Sequence, residues 1–176
     1  MGRRRVFSVV VGVVVVAGAM VGCSSPVKPS GSTGSSTMSA TSSPDPSASA
    51  AAVQAAVLDV YHRYFDAVVA AERGNPDPAL FADNARGALV EKELAVARQF
   101  QEYGIVREGA PTFSNVTVKV DGDSATVWAC VDNSAWKVPG VKDDLPDVLP
   151  GGVVLERIDS IWLVTDLGRP PQEFTC

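Results

Sequence analysis

Residues 115–131 read NVTVKVDGDSATVWACV, and this stretch decides the fold. Apolar and polar residues alternate on both sides of Asp121-Gly122, which is the period of a half-buried β-strand. A two-residue Asp-Gly turn between two such runs is a strong signal for a β-hairpin. Folding about this turn pairs Val118 with Ala125 and Val116 with Val127 on one apolar face. The other face then carries the pairs Thr117–Thr126, Asn115–Trp128 and Phe113–Cys130.

Two more strands are predicted toward the C-terminus, over residues 153–157 and 161–166. The turn between them falls at Asp159-Ser160. A loop rich in Pro, Gly and Asp precedes them, over roughly residues 135–151.

Helical patterns occupy the chain before the hairpin. Between Val53 and Arg73, apolar side chains recur every three or four residues, and the opposite stripe is polar, with Asp59, His62, Arg63 and Asp66. Asp77 is placed to cap a short second helix that has Pro78 in its first position and ends near Asp83. A longer helix follows, from about Arg86 to Tyr103, and Gly104 ends it. Helices followed by strands predict an α+β fold, with N-terminal helices packed on a curved antiparallel β-sheet.

The first 22 residues have the layout of a secretory signal peptide. Three arginines precede an apolar run from Val6 to Val21, which is shorter than the roughly 20 residues of a spanning helix. Met20-Val21-Gly22-Cys23 resembles the lipobox of bacterial lipoproteins. This resemblance implies a diacylglyceryl group on the Cys23 thiol and cleavage just before Cys23, and two acyl chains suffice for stable anchoring. An ordinary secreted protein and a transmembrane anchor are the alternatives.

Residues 24–52 predict a disordered tether, because 25 of these 29 positions are Ser, Thr, Gly, Pro or Ala. Residues 23–52 thus form a lipidated tether, and residues 53–176 form the folded domain. Removal of the leader takes away three arginines, which leaves 12 basic against 20 acidic residues. This acidic balance excludes nucleic acid as a partner and leaves the lipid as the attachment to the membrane.

The order of helices and strands, with a late Trp162, resembles the nuclear transport factor 2-like superfamily, a cone-shaped fold. A group of small actinobacterial lipoproteins and secreted proteins with this domain is more similar still. The matching motifs are Arg86-Gly87, Asp121-Gly122-Asp123-Ser124-Ala125, Cys130-Val131-Asp132-Asn133-Ser134, Trp162-Leu163-Val164 and the terminal Cys176. In these relatives a Gly usually precedes the late Trp, whereas Ser160-Ile161 stands here. The resemblance implies a bacterial cell-membrane lipoprotein on the extracytoplasmic face.

Ketosteroid isomerases and polyketide cyclases share this superfamily, so the resemblance also implies a cone that holds a ligand or a substrate. In those enzymes an acidic residue moves a proton while Tyr or a protonated Asp stabilises an oxyanion. Residues of the matching kind that would line such a pocket are Tyr61, Tyr64, Tyr103, Trp128 and Asp132. The alternative is that both helix tyrosines belong to the core and that Asp132 begins a turn.

If Cys23 carries the lipid, Cys130 and Cys176 allow a single intramolecular disulfide. Export to an oxidising compartment favours that bond. A catalytic thiol is the alternative, but the lone His62 lies on the polar face of its helix and no base is placed nearby. The disulfide would pin the C-terminal tail across the sheet face that bears Trp128.

Three functions of different classes remain open. The first is a tethered, non-catalytic module that binds a small apolar ligand or a protein; the second is a cone enzyme of the isomerase or cyclase type; the third is a homodimerising envelope protein. We expect no cofactor and no metal, because Asp143, Asp144 and Asp147 fit no calcium-loop spacing and read as a solvated acidic loop.

Overall fold

The computed structural model describes residues 46–141 and 145–176, with side chains from Ser49 onward. The leader, the lipobox and residues 24–45 of the predicted tether lie outside the described residues. The elements are helix α1 (Pro46–Glu72), a 3₁₀ turn (Pro78–Phe81), helix α2 (Ala88–Glu102) and strands β1 (Thr112–Asp121), β2 (Ser124–Asp132), β3 (Val148–Ile158) and β4 (Ile161–Leu167). The two helices pack on a curved, open, four-stranded antiparallel sheet of order β1-β2-β3-β4, so the chain has an α+β fold.

Helix α1 begins at Pro46, seven residues before the predicted start, and so extends into the segment predicted as tether. Alanine is the best helix former and proline is tolerated in the first turn, so residues 46–56 (PSASAAAVQAA) continue the helix without an apolar stripe of their own. The predicted stripe is confirmed, since Val57, Val60, Tyr61, Tyr64 and Val68 are all buried.

The caps and breaks between the helices also agree with the sequence. The Asp77 carboxylate accepts a hydrogen bond from the Ala79 N–H at 2.9 Å, and Pro78 opens the 3₁₀ turn.

The predicted loop over residues 135–151 is too long, because β3 already begins at Val148. Val148 pairs with Asp132 at the end of β2, so the ladder between these strands is longer than the alternation of residues indicates.

The register of the first hairpin differs from the prediction by two residues. Asp121 pairs with Ser124, and Val118 therefore faces Val127 instead of Ala125. Gly122 has a φ of 60°, whereas Asp123 keeps a negative φ, so the two turn residues are Gly122 and Asp123. A positive φ at the first central position alone is the pattern of a type II′ turn, which favours glycine there. A shift of two residues leaves the side chains between Thr117 and Asp121 on their predicted faces.

A β-bulge changes the face of the residues before Thr117. The register shifts between Ser114 and Thr117, and Asn115 has a φ of 48°. Phe113 therefore pairs with Val131, and the prediction that it shares the outer face with Cys130 is wrong. Its ring instead meets α1, with centroids 5.1 Å from Tyr61 and 4.8 Å from Phe65. One extra residue in a strand reverses every side chain beyond it, which is why simple alternation fails here.

The two edges of the sheet differ in whether another segment pairs with them. Along β4, the Val164 N–H donates to the Asn84 carbonyl at 2.8 Å, and the Arg86 N–H donates to the Val164 carbonyl at 3.0 Å. The segment before α2 thus covers the middle of the β4 edge through a parallel bridge between Ala85 and Val164. In the described part of the chain, no strand or bridge pairs with the outer edge of β1.

On the outer face of the sheet, a disulfide joins Cys130 of β2 to Cys176, with the two Cα atoms 5.5 Å apart. The tail is also held by the Asn115 side chain, whose amide donates to the Thr175 carbonyl at 3.4 Å. Trp128 lies over β3 at Gly152, where an added Cβ would come within 2.7 Å of the indole Cδ1. The C-terminal tail is therefore part of the folded domain.

We expect the double substitution Cys130→Ala with Cys176→Ala to lower the free energy of unfolding by about 4 kcal/mol, because the disulfide spans 46 positions and restricts the unfolded chain. Urea unfolding of residues 42–176 measures the loss. Glu173→Gln, an exposed change on the same C-terminal tail, serves as the control. Equal stability of the oxidised protein and the double variant would contradict this role of the disulfide.

Candidate functional site

The five predicted pocket residues do not meet in one cavity. Tyr61 and Tyr64 are 0% and 1% exposed and lie between α1 and the sheet, whereas Tyr103 is 66% exposed at the end of α2. Trp128 lies on the opposite face of the sheet from both buried tyrosines. None of the five lines the surface depressions beside Arg107, Gly152, Val120 or Asp123.

Asp132 lies at the start of a turn, which agrees with the alternative in which it is not a pocket residue. Its carboxylate accepts a hydrogen bond from the Ser134 N–H at 2.8 Å. Hydrogen bonds from Ser134 hold the pKa of this carboxyl below its usual value. Asp132 is thus an ionised turn residue at the end of β2, and it is not poised to donate a proton to a ligand.

The space between helices and sheet is filled by the protein's own side chains. The largest fully buried ones are Tyr61, Tyr64, Phe81, Leu94, Leu155, Val57, Val127, Val153 and Val164. The Tyr61 hydroxyl is buried without a hydrogen-bond partner among the described residues, and burial raises the pKa of this phenol well above its usual range. Dense packing of this kind fills the space around Tyr61 and Tyr64 with the protein's own side chains.

A buried polar cluster lies at the C-terminal end of α1. Glu72 Oε2 lies 3.1 Å from Arg107 Nη1, and the two side chains are 7% and 28% exposed. The contact is an ion pair without hydrogen-bond geometry, since Glu72 Oε2 and Arg107 Nε have no hydrogen-bond partner in the described chain. The Arg107 guanidinium also lies over the Trp136 ring, with its central carbon 4.3 Å from the centroid. This stacking shields the ion pair from water and strengthens the attraction.

Tyr64 belongs to the same end of the core. Its hydroxyl donates a hydrogen bond to Glu93 Oε1 of α2 at 2.7 Å. Burial, and then the charge and hydrogen bond of Glu93, raise the pKa of Tyr64 far above its usual range. Tyr64 is therefore a fixed donor that ties α1 to α2.

Backbone contacts between two loops bring Arg107 to Glu72. The Glu108 N–H donates to the Lys137 carbonyl at 2.9 Å, and the Lys137 N–H donates to the Glu108 carbonyl at 3.1 Å. Gly109 has a φ of 72°, and a Cβ there would overlap the Ala135 carbonyl, so only glycine fits. The Arg73 side chain donates to the Gly109 carbonyl at 2.6 Å. The loop before β1 is thus fastened both to α1 and to the loop after β2.

Sequence reasoning did not find this cluster. Burial raises the pKa of the Glu72 carboxyl above its ordinary value of 4.5, although the Arg107 charge opposes this rise and Glu93 adds to it. The available signal is the position of Glu72 four residues after Val68, which continues the apolar stripe of α1. A carboxylate on a buried stripe requires a cation nearby, but the pattern alone does not identify Arg107.

Beside the cluster lies a small cavity of about 180 Å³. It is lined by Arg107, Asn133, Trp136, Lys137, Leu145, Pro146, Asp147 and Leu149. Lys137 Nζ and Asp147 Oδ1 form an ion pair at 2.7 Å on its wall. The cavity is smaller than the usual range of roughly 300–1,000 Å³ for ligand pockets.

Exposed apolar side chains occur in the segments that contribute to this cavity: Leu145 lines it, and Val106 and Val148 are sequence neighbours of other residues that line it. We call this surface the distal face; it consists of Tyr103, Val106, Val141, Leu145 and Val148, which are 40% to 66% exposed. Charged groups lie beside it, including the Lys137–Asp147 ion pair and Arg107. Clustered apolar side chains with a polar rim are typical of protein-binding surfaces.

The other residues singled out by the sequence do not form a chemical site. His62 is exposed on α1, with its ring 5.8 Å from that of Phe113. Asp147 pairs with Lys137, whereas Asp143 and Asp144 lie outside the described residues. Within residues 46–141 and 145–176, no group of three His, Cys, Asp or Glu side chains is placed to hold a metal. No helix in these same ranges is long and apolar enough to cross a membrane.

No protein-family model and no curated protein matches the chain. Among solved structures, the intermembrane-space region of the chloroplast protein ARC6 is similar at 16% identity and a TM-score of 0.41, over 62% of this chain and 90% of that one. A variant of Rv3472 from Mycobacterium tuberculosis, a protein of unknown function, gives 14% identity and a TM-score of 0.44, over 72% and 78% of the two chains. These similarities carry no argument about fold or function, so the site rests on this chain's own contacts.

We expect Glu72→Gln to change how stability depends on pH. A raised pKa means that the folded protein holds the Glu72 proton to higher pH than the unfolded chain does. The wild type therefore loses stability as the pH rises from about 4.5 through the folded-state pKa, and the variant lacks this loss. The free energy of unfolding of the variant minus that of the wild type should therefore increase as the pH rises through this window.

Urea unfolding at several pH values between about 4 and 8 measures this difference across the window given by linkage. Glu91→Gln, at an exposed position in the first turn of α2, is the matched control. A difference for Glu72→Gln that stays constant with pH, or that falls, would show that burial does not raise the pKa of Glu72.

Proposed function

We propose that the protein is a lipid-anchored extracytoplasmic domain of the nuclear transport factor 2-like type that binds a protein partner through its distal face. Met20-Val21-Gly22-Cys23 supports lipidation of Cys23 and cleavage before it. The Cys130–Cys176 disulfide is compatible with an oxidising compartment. The anchor and its tether keep the domain at the membrane surface, where it meets its partner.

The observation that carries this proposal is the contrast between a filled interior and an exposed apolar surface. Tyr61 and Tyr64 occupy the space that a ligand would need in an open cone. Val106 and Val141 of the distal face, by contrast, are exposed on the two segments that the Glu108–Lys137 hydrogen bonds join. A preorganised apolar surface beside a cavity of only about 180 Å³ favours a protein partner over a small molecule.

The geometry of α1 suits this arrangement. The helix has 27 residues, so it extends about 40 Å from Pro46, where the tether joins, to Glu72 beside Arg107. The distal face is thus at the far end of the helix from the attachment point.

A cone enzyme of the isomerase or cyclase type is the alternative that the sequence resemblance raises. Tyr64 and Glu93 form the pair of groups that such chemistry uses, but Tyr64 is 1% exposed in the core. A general acid or oxyanion donor has to reach the reacting atoms of a substrate. This burial favours the binding function over catalysis.

We expect a photo-crosslinking amino acid at Tyr103 to capture one discrete partner at the membrane of the source cells. The same residue placed at Ala95, an exposed position on α2 away from the distal face, is the matched control. Adducts are separated by electrophoresis and identified by mass spectrometry. A second position, Val141, should capture the same partner, because it lies on the same face.

Absence of an adduct at Tyr103 and Val141, or equal adducts at Ala95, would contradict binding through the distal face.

The substitution Cys23→Ser tests the lipid anchor separately. This variant should lose its acyl groups and leave the membrane fraction, because the acyl chains supply the attachment. Retention of Cys23→Ser in the membrane fraction would contradict lipid anchoring.

A further inference from the structure

Two carboxylates and one guanidinium interact at the buried C-terminal end of α1. Glu72 and Glu93 carry the carboxylates, and Arg107 carries the guanidinium. On α1 itself, the neighbouring Arg73 directs its guanidinium to a backbone carbonyl of the loop before β1. Tyr64 adds a hydroxyl, which donates a hydrogen bond to Glu93. With both carboxylates ionised, the negative charges outnumber the one guanidinium that pairs with them, and this imbalance favours uptake of a proton.

Glu72 is the member of this cluster that takes up the proton. Its side chain is 7% exposed, and its Oε2 has no hydrogen-bond partner in the described chain. Glu93, by contrast, accepts the hydrogen bond from the Tyr64 hydroxyl at 2.7 Å, which stabilises its ionised form. Burial and the charge of Glu93 raise the pKa of the Glu72 carboxyl, and the charge of Arg107 opposes this rise. A buried carboxylate with few hydrogen bonds is the more easily protonated of two neighbours.

The position of Arg107 depends on the charge of Glu72 and on two aromatic rings. Its Nη1 lies 3.1 Å from Glu72 Oε2, and its Nε has no hydrogen-bond partner in the described chain. Its central carbon lies 4.3 Å from the Trp136 ring centroid and 5.5 Å from that of Phe100. Ring faces alone do not replace the hydration of a guanidinium. Because Arg107 is already partly exposed and its stem is flexible, loss of the Glu72 charge favours its movement into water.

We propose that Glu72 is a pH-sensitive switch for the distal face. While Glu72 is ionised, the Arg107 guanidinium stays beside it on the Trp136 ring, and the distal face has the form described above. When Glu72 takes up a proton, the Arg107 guanidinium turns into water and leaves the Trp136 ring. Val106 of the distal face directly precedes Arg107, so this change reaches the partner-binding surface. The effect on partner binding rests on the proposed function, whereas the movement of Arg107 does not.

The backbone around the switch is fastened, which limits the movement to side chains. Glu108 and Lys137 exchange two backbone hydrogen bonds, at 2.9 and 3.1 Å. Arg107 and Trp136 both line the cavity of about 180 Å³, so departure of the guanidinium changes the wall of this cavity. The other charged groups on the same wall, Lys137 and Asp147, form their own ion pair at 2.7 Å. The switch therefore alters the surface at the cavity while the fold is kept.

NMR of the indole N–H groups of residues 42–176, between about pH 4 and 8, tests the switch without a partner. This unit contains the whole described core. His62 is the only histidine of the chain and imidazole titrates in this range, so the reference protein and every variant carry His62→Gln. The Trp136 signal should shift in one transition with its midpoint above pH 4.5, the ordinary value for a glutamate. Trp128, on the opposite face of the sheet, should not show this transition.

Three substitutions identify the group that titrates. Glu72→Gln keeps this side chain neutral, so its Trp136 signal at about pH 8 should match the acid form of the reference protein and should not titrate. Glu93→Gln removes the second carboxylate and should move the midpoint to lower pH by roughly half a unit. Glu91→Gln, exposed in the first turn of α2, is the matched control and should leave the midpoint unchanged.

A Trp136 signal that stays constant over the whole pH range, or that titrates equally in Glu72→Gln, would overturn the switch. Photo-crosslinking of the full-length chain at Tyr103 provides the second readout. The yield of the partner adduct at about pH 5 should be roughly fivefold lower than at about pH 7.5, a typical size for coupling between two sites. Equal yields at both pH values would overturn the control of partner binding. Absence of any adduct contradicts the proposed function, and the NMR titration then still decides whether Glu72 moves Arg107.

Discussion

The packing of the α1 aromatic side chains against the inner face of the sheet is the constraint on which the rest of the structure depends. Tyr61 and Phe65 meet Phe113 at centroid distances of 5.1 and 4.8 Å, and Tyr64 lies 6.3 Å from Phe81. Phe113 reaches this cluster only because the bulge at Asn115 turns it inward. These rings fill the space between α1 and the inner face of the sheet.

Much of the fold follows from local pattern. The apolar stripe of α1, the Asp77 cap and the Asp159-Ser160 turn are set by neighbouring residues, and the structure has all three. The bulge is different, because one extra residue in β1 leaves the alternation of residue types almost unchanged. The hairpin register likewise depends on which of two adjacent positions takes a positive φ. Gly122 can occupy either the first or the second central position of a two-residue turn, so the residue types alone do not determine the hairpin register.

The site was less accessible to sequence reasoning than the fold. The helical pattern of α1 allows burial of Tyr61 and Tyr64 as one of two alternatives. The Glu72–Arg107–Trp136 cluster cannot be predicted in this way, because it joins three segments that are remote along the chain. Their meeting depends on the close approach of Gly109 to Ala135, which is a tertiary contact. Loop residues of this kind have no periodic signature, so no pattern marks them in advance.

The central claim is that the protein's own side chains fill the interior. Saturation-transfer NMR with benzene on residues 42–176 tests this claim most directly, because an apolar cavity the size of a removed aromatic ring takes up benzene. The wild type should show no saturable benzene binding, and Tyr61→Ala, which removes a ring that is 0% exposed, should show it. Saturable binding by the wild type that perturbs the Tyr61 and Tyr64 resonances would contradict the account.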